Sequence, residues 1–245
     1  MSLTSKWFKV FVCVLSLFAF VDICHACYIV DPCANREGQE KGKMIHSVKG
    51  YLDSFRVDDK KIVETIGTIE RKFFVPEHLQ NQAHLDVALP IEKGQTISQP
   101  STVARMLQLL QLKKRDNVLE VGTGSGWSAA LLAYIVDPGQ VVTLELHKEL
   151  IDRAKKRFKK LNLTNITVKD VDFKVVEDKF DKIIFTAGIG LSQEKLIDYV
   201  ANKNLKDGGL LVCPFRSGPL IIIEKKKSGL FKEFSSEQYR FVPLQ

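Results

Sequence analysis

The sequence predicts an α/β fold built on a doubly wound, mostly parallel sheet with an N-terminal helical segment. Three observations carry that expectation. Apolar strand-like runs alternate with helical stretches from Val118 to Val200. A glycine-rich turn joins the first of these strands to its helix, and the final strands follow one another too closely for helical crossovers. With 245 residues, 45% hydrophobic and 27% charged, the chain has the composition of a globular protein with a sizeable core.

The N-terminus reads differently from the body. Lys6 and Lys9 precede an uncharged, mostly apolar run from Val10 to Val21, which ends in Cys24-His25-Ala26, the order of a secretory signal. A helix over that run would rise ~18 Å against a hydrocarbon core of ~30 Å, so no stable membrane span is expected. Residues 1–26 are read as a signal-like leader, 27–43 as a polar linker and 44–245 as the main domain. Four of the five cysteines lie in the first 33 residues, so the body, with Cys213 alone, holds by burial rather than by disulfides. Cys24, Cys27, Cys33 and His25 offer ligand chemistry without a scaffold, and no metal site is expected.

In the body, Ile62, Ile66, Ile69 and Phe73 have helical spacing after Asp58 and Asp59, and Pro76 stops that helix. A loop from Leu89 to Pro100 leads into a second helix face of Val103, Met106, Leu107 and Leu110. Val118 to Val121 is a strand, Gly122-Thr123-Gly124-Ser125-Gly126 a loop, and Trp127 to Val136 a buried helix. Asp137-Pro138-Gly139 turns the chain into a strand at Val141 to Leu146, followed by an amphipathic helix carrying Leu150, Ile151, Ala154, Phe158 and Leu161. Further strands are expected at Ile166 to Lys169 and Lys182 to Thr186, then a helix around Ser192 to Val200 and a turn at Lys206 to Gly209. The last strands are expected at Leu210 to Cys213, Leu220 to Glu224 and near Tyr239 to Val242.

The glycine loop carries the chemistry. Glycines beside a helix N-terminus let a ligand approach the backbone, which selects a nucleotide-like cofactor. Trp127 stands where a dinucleotide fingerprint has its third glycine, which weakens NAD or FAD, and no Gly-Lys-Ser/Thr follows, which excludes a P-loop. Glu145 ends the second strand about 20 residues on, placed to accept hydrogen bonds from ribose hydroxyls. Glu120 at the tip of the first strand favours a cofactor with a positively charged end over one with a pyrophosphate, so S-adenosyl-L-methionine fits best. The net charge of +7 is spread widely, and the basic run around Phe158 reads as a solvated helix face, so no nucleic-acid partner is expected.

From Met44 to Leu244 the chain resembles the bacterial protein-L-isoaspartate O-methyltransferases. The most specific stretch is Ala88-Leu89-Pro90 with Gly94-Gln95-Thr96-Ile97-Ser98-Gln99-Pro100 and Val103-Ala104-Arg105-Met106; Val118 to Gly126, Phe180 to Ile184 and Arg240 to Leu244 also match. The resemblance implies the seven-stranded-type sheet of a class I S-adenosylmethionine-dependent methyltransferase. It implies methyl transfer to the free carboxylate of isoaspartyl residues, with damaged proteins and peptides as partners and repair as the purpose. It also implies Ser98 as the catalytic residue, Glu120, Gly122, Thr123, Gly124, Ser125 and Gly126 on the methionine part, Glu145 on the ribose, and Asp172 on the adenine edge. A cytoplasmic monomer is the family-like expectation, with export or membrane tethering the alternative if the leader is genuine.

Several positions depart from the family pattern. They are Val171 and Phe173 around Asp172, His84-Leu85 before Asp86, Phe215-Arg216 after Pro214, and Ser101 after Pro100. His84 and His78 read as surface or satisfied polar residues and His147 as a helix cap. The alternatives are a methyltransferase acting on another acceptor and a non-catalytic binding protein that keeps the fold.

Overall fold

The computed structural model describes residues 32–55 and 59–245, and the signal-like leader lies outside the described residues. The chain divides into two units at Gly42 and Lys43, and the second, 43–245, is compact. Helix α1 spans Pro32–Asp53. Its first part, read from composition as a linker, is helical because Ala, Arg, Glu, Gln and Lys are good helix formers and proline is tolerated in a first turn. Within 43–245, Met44, Val48 and Leu52 recur every four residues and are buried.

Helix α2 spans Lys60–Thr68 and buries Ile62, Thr65 and Ile66. It ends before Phe73, contrary to the sequence expectation. Ile69 is extended (φ −81°, ψ 100°), and Glu70 caps a separate 3-10 turn at Arg71–Phe74 by accepting from Lys72 N. The break turns Arg71, 1% exposed, into the interior.

The segment read as a loop contains a small antiparallel ladder between β1 (Leu89–Pro90) and β2 (Thr96–Ile97). Helix α3 (Pro100–Leu110) follows, with proline in its first turn. Then come β3 (Val118–Val121), α4 (Trp127–Val136), β4 (Val141–Leu144), α5 (Lys148–Lys160), β5 (Ile166–Lys169), β6 (Phe180–Phe185), α6 (Glu194–Asn204) and β7 (Leu205–Pro214). The chain closes with β8 (Ser217–Gly218), β9 (Leu220–Lys226), β10 (Gly229–Phe234) and β11 (Tyr239–Arg240).

The main sheet has seven strands in the order β10-β9-β7-β6-β3-β4-β5. β5, β4, β3, β6 and β7 pair in parallel, whereas β7, β9 and β10 form an antiparallel meander. The expected turn at Lys206 to Gly209 is absorbed into β7 as a register irregularity opposite Phe180 and Lys182. β10 was not expected, because its side chains are mostly exposed and charged residues interrupt its apolar ones.

Alternate strand residues feed two cores, as the pleat requires. Val118, Val141, Ile184 and Val212 face α1 to α5. Leu119, Val121, Ile183, Phe185 and Leu211 face α6 and Phe173. No helix among the described residues is long and apolar enough to cross a membrane.

Candidate active site

Strand order reverses around β3, whose neighbours are β4 on one side and β6 on the other. In open α/β sheets a crevice forms there, at the carboxyl ends of the strands. Two adjoining openings, enclosing about 490 Å³ and about 620 Å³ with their open mouths included, meet at Gln95, Gly122, Glu145 and Ala187.

The loop between β3 and α4 floors the crevice. Gly122 has φ +101°, and a Cβ there would lie 2.4 Å from Thr186 Oγ1. That hydroxyl donates to Gly122 O at 2.5 Å and Val121 O at 3.2 Å, tying the loop to the end of β6. Gly126 has φ +87°, and a Cβ there would meet Phe158 Cζ at 2.9 Å, so glycine lets α5 pack against the start of α4. Thr123, Gly124 and Ser125 line the larger opening between them.

Glu145 lines both openings. Its Oε2 accepts from Gly124 N at 2.9 Å, and its Oε1 accepts from Leu146 N and His147 N, both at 3.0 Å. A carboxylate has about four acceptor sites, so about one remains for a ligand hydroxyl. His147 is the N-terminal flank of α5, but its side chain makes no cap bond; Glu145 takes its N–H instead. Asp172 lines the smaller opening. It accepts from Lys174 N at 2.9 Å and pairs with Lys174 Nζ at 3.1 Å.

Glu120 lies one layer deeper, fully buried. Thr143 Oγ1 donates to its Oε2 at 2.6 Å, and Thr123 Oγ1 lies 2.7 Å from Thr143 Oγ1, so a hydrogen-bonded chain links the carboxyl to the glycine loop. Its Oε1 has no hydrogen-bond partner among the described residues. Burial raises its pKa to about 7, opposed mainly by the Thr143 bond.

Ser98 follows β2 and lines the larger opening with the glycine loop and Val242. It does not cap α3: the flanking residue is Gln99, without a side-chain cap bond. Asp86 supplies the cap from a distance, accepting from Ser101 N at 2.9 Å and from the hydroxyls of Ser101 and Ser47. His84, 7% exposed, is satisfied by Glu70 Oε1 at 2.7 Å.

Arg71 is the residue that sequence reasoning missed. It donates to Ala83 O at 2.7 Å, Leu85 O at 3.3 Å, Val87 O at 2.9 Å and Ser98 O at 3.0 Å. Its guanidinium stands 5.2 Å from the Trp127 ring centroid. At the end of a helical pattern an arginine reads as a surface cation, so spacing alone gave no signal. The C-terminal segment forms the remaining wall: Gly188 N donates to Val242 O at 2.7 Å, and Leu244 N donates to Gly188 O at 2.9 Å.

These features fit S-adenosyl-L-methionine. The crevice combines a close-packed glycine floor, helix N–H groups, a carboxylate with spare acceptor capacity and a buried acidic group beneath one end.

Comparison with known proteins gives concordant matches. The model of the family described as Protein-L-isoaspartate(D-aspartate) O-methyltransferase matches residues 40–245. A relative named protein-L-isoaspartate O-methyltransferase, from Fervidobacterium nodosum, is 39% identical over 192 residues, covering 76% of this chain and 94% of its own. One of the same name from Vibrio parahaemolyticus is 38% identical over 200 residues, covering 79% and 92%.

Among solved structures, one titled protein-L-isoaspartate O-methyltransferase superposes with a TM-score of 0.70 at 25% identity, over 84% of this chain and 66% of that one. A putative protein-L-isoaspartate O-methyltransferase from Plasmodium falciparum, in complex with S-adenosyl-L-homocysteine, superposes with a TM-score of 0.67 at 22% identity, over 83% and 97%. The latter likeness is one of fold.

Proposed function

Because the chain belongs to the protein-L-isoaspartate(D-aspartate) O-methyltransferase family, we propose that its crevice methylates the free carboxylate of L-isoaspartyl residues in damaged proteins and peptides. The observation that carries this reading is that Ser98 and the glycine loop share one opening. When bound, S-adenosyl-L-methionine supplies an electrophilic methyl group.

The residues of the chain bind and orient. Gly122 to Gly126 and the start of α4 hold the methionine part, Glu145 the ribose hydroxyls and Asp172 the adenine edge. Glu120 acts on the ammonium end through the Thr143–Thr123 chain and its own field rather than by contact. Ser98 donates its hydroxyl to the acceptor carboxylate. Such a carboxylate, with a pKa of ~4, is ionised at neutral pH, so no general base is required and alignment supplies most of the rate. Val242, Pro243 and Leu244 close the wall against water.

Residues 44–245 are the acting domain, a cytoplasmic monomer working where its methyl donor is held, with no nucleic-acid partner. Labelled S-adenosyl-L-methionine tests the activity. Protein starting at Met44 is expected to transfer methyl to an isoaspartyl peptide and none to its aspartyl twin. Cofactor binding without that transfer would assign another acceptor, and absence of cofactor binding would reduce the fold to a scaffold.

A further inference from the structure

We propose that Arg71 is a positioning residue for methyl transfer, clamping residues 83–101, the acceptor loop, so that Ser98 is fixed relative to the glycine loop. The inference rests on the function proposed above and adds a residue with no place in it so far.

The guanidinium has five N–H donors in a planar fork. Four hydrogen bonds leave its terminal nitrogens, three to carbonyls between Ala83 and Val87 and one to the carbonyl of Ser98 itself. Two chain segments separated by β1 and β2 are therefore held by one group. Asp86 fixes the next point along the chain, at Ser101 N. The backbone on both sides of Gln99-Pro100 is thereby pinned, and Ser98 has little freedom to shift.

The cost of this arrangement argues against a packing role. Arg71 is 1% exposed; no carboxylate among the described residues lies within ion-pair distance, and its Nε has no hydrogen-bond partner. A buried cation held by neutral carbonyls is expensive, and an apolar side chain would fill the space at lower cost. Burial lowers its pKa only to about 10, with the charge of Asp86 opposing, so the fork stays charged at neutral pH. The Trp127 ring lies against the fork and begins α4, at the end of the glycine loop. The same side chain thus abuts both halves of the site. A lysine has three donors and no fork, so it cannot reproduce the four bonds.

The test is Arg71→Lys in the full chain, with Arg71→Gln, which removes the buried charge, as the second variant. Three measurements are made: steady-state methylation of an isoaspartyl peptide, S-adenosyl-L-homocysteine affinity by calorimetry, and amide hydrogen exchange. In a folded variant, kcat/KM for the peptide is expected to fall roughly 100-fold, as for a misplacement of about 1 Å. Cofactor affinity should change less than about threefold, and exchange should rise within 83–101 but not in β3 or β4. In an Ser98→Ala background the same substitution should cost much less, because its effect passes through Ser98.

Unchanged kcat/KM, equal loss of cofactor affinity, or full additivity with Ser98→Ala would overturn the proposal. So would loss of cooperative unfolding in both variants, which would make Arg71 a folding determinant. If the wild-type protein methylates no isoaspartyl peptide, the function proposed above falls, while hydrogen exchange still decides whether Arg71 clamps the loop.

Discussion

Ser98 and Glu120 are both proposed for the site, but their burial suits them to different work. Ser98 reaches the opening and is free of capping duty, so Ser98→Ala should leave the thermal midpoint and cofactor affinity nearly unchanged while lowering kcat roughly 10- to 100-fold. Peptide methylation beside calorimetry checks this, and equal losses in both would remove the role.

Glu120 is sealed beneath the loop, and its titration also bears on stability. Its pKa rises from 4.5 to about 7 on folding. Between those values the folded state keeps a proton that the unfolded state releases. Stability from this group is therefore full below pH 4.5 and lost as the pH rises through 7, by up to about 3 kcal/mol. Glu120→Gln should raise the midpoint by roughly 5–10 °C at pH 8 and by much less at pH 5. A variant with the same increment at both pH values would contradict the assignment.

The sequence displayed both residues through their motifs. It hid Arg71, whose importance comes from four carbonyls that only the folded loop brings together. It also left open how deep Glu120 sits, because a strand-end acid looks the same whether its side chain points into a crevice or beneath one.

At the scale of elements, the βα units were legible because each carries a strong period and a punctuating turn. Val118 to Val121 with its glycine loop and the helix centred on Leu150 to Phe158 are examples. Two failures have physical causes. The helix expected through Phe73 breaks at Ile69, where extended backbone and the Glu70 cap start a separate 3-10 turn that brings Arg71 under residues 83–98.

β10 escaped notice because an exposed strand alternating Leu230, Lys232 and Phe234 with Phe231 and Glu233 shows no sustained apolar face, and only its pairing with β9 defines it. The C-terminal segment was recognised as a motif, and the structure gives the reason for it. β11 pairs with β8, Tyr239 Oη lies 2.7 Å from Tyr51 Oη, and Val242 to Leu244 wall the crevice. Ending the chain after Gln238 should leave the seven-stranded sheet folded by circular dichroism but weaken S-adenosyl-L-homocysteine binding at least roughly tenfold. Retained affinity would show that the wall is dispensable.

The whole molecule is a sheet that divides its labour. The parallel strands β3, β4 and β6 raise the loops that make the crevice, and the antiparallel meander of β7, β9 and β10 extends the sheet away from it. Sequence order alone indicated the parallel part, through the intervening helices, and the close spacing of the final strands indicated the change of direction. It could not give strand order, because pairing β3 with β6 depends on residues far apart in the chain meeting edge to edge.

That separation also sets when the crevice can exist. Thr186 reaches Gly122 across 64 residues of chain. At ~5–20 residues per second, a ribosome takes several seconds to make the intervening stretch. Throughout that interval β3 and its glycine loop have emerged without their second neighbour, leaving one strand edge unpaired and the cleft half built. Ligand binding can then stabilise only the completed sheet. The capacity to recognise a cofactor is among the last properties the nascent chain acquires.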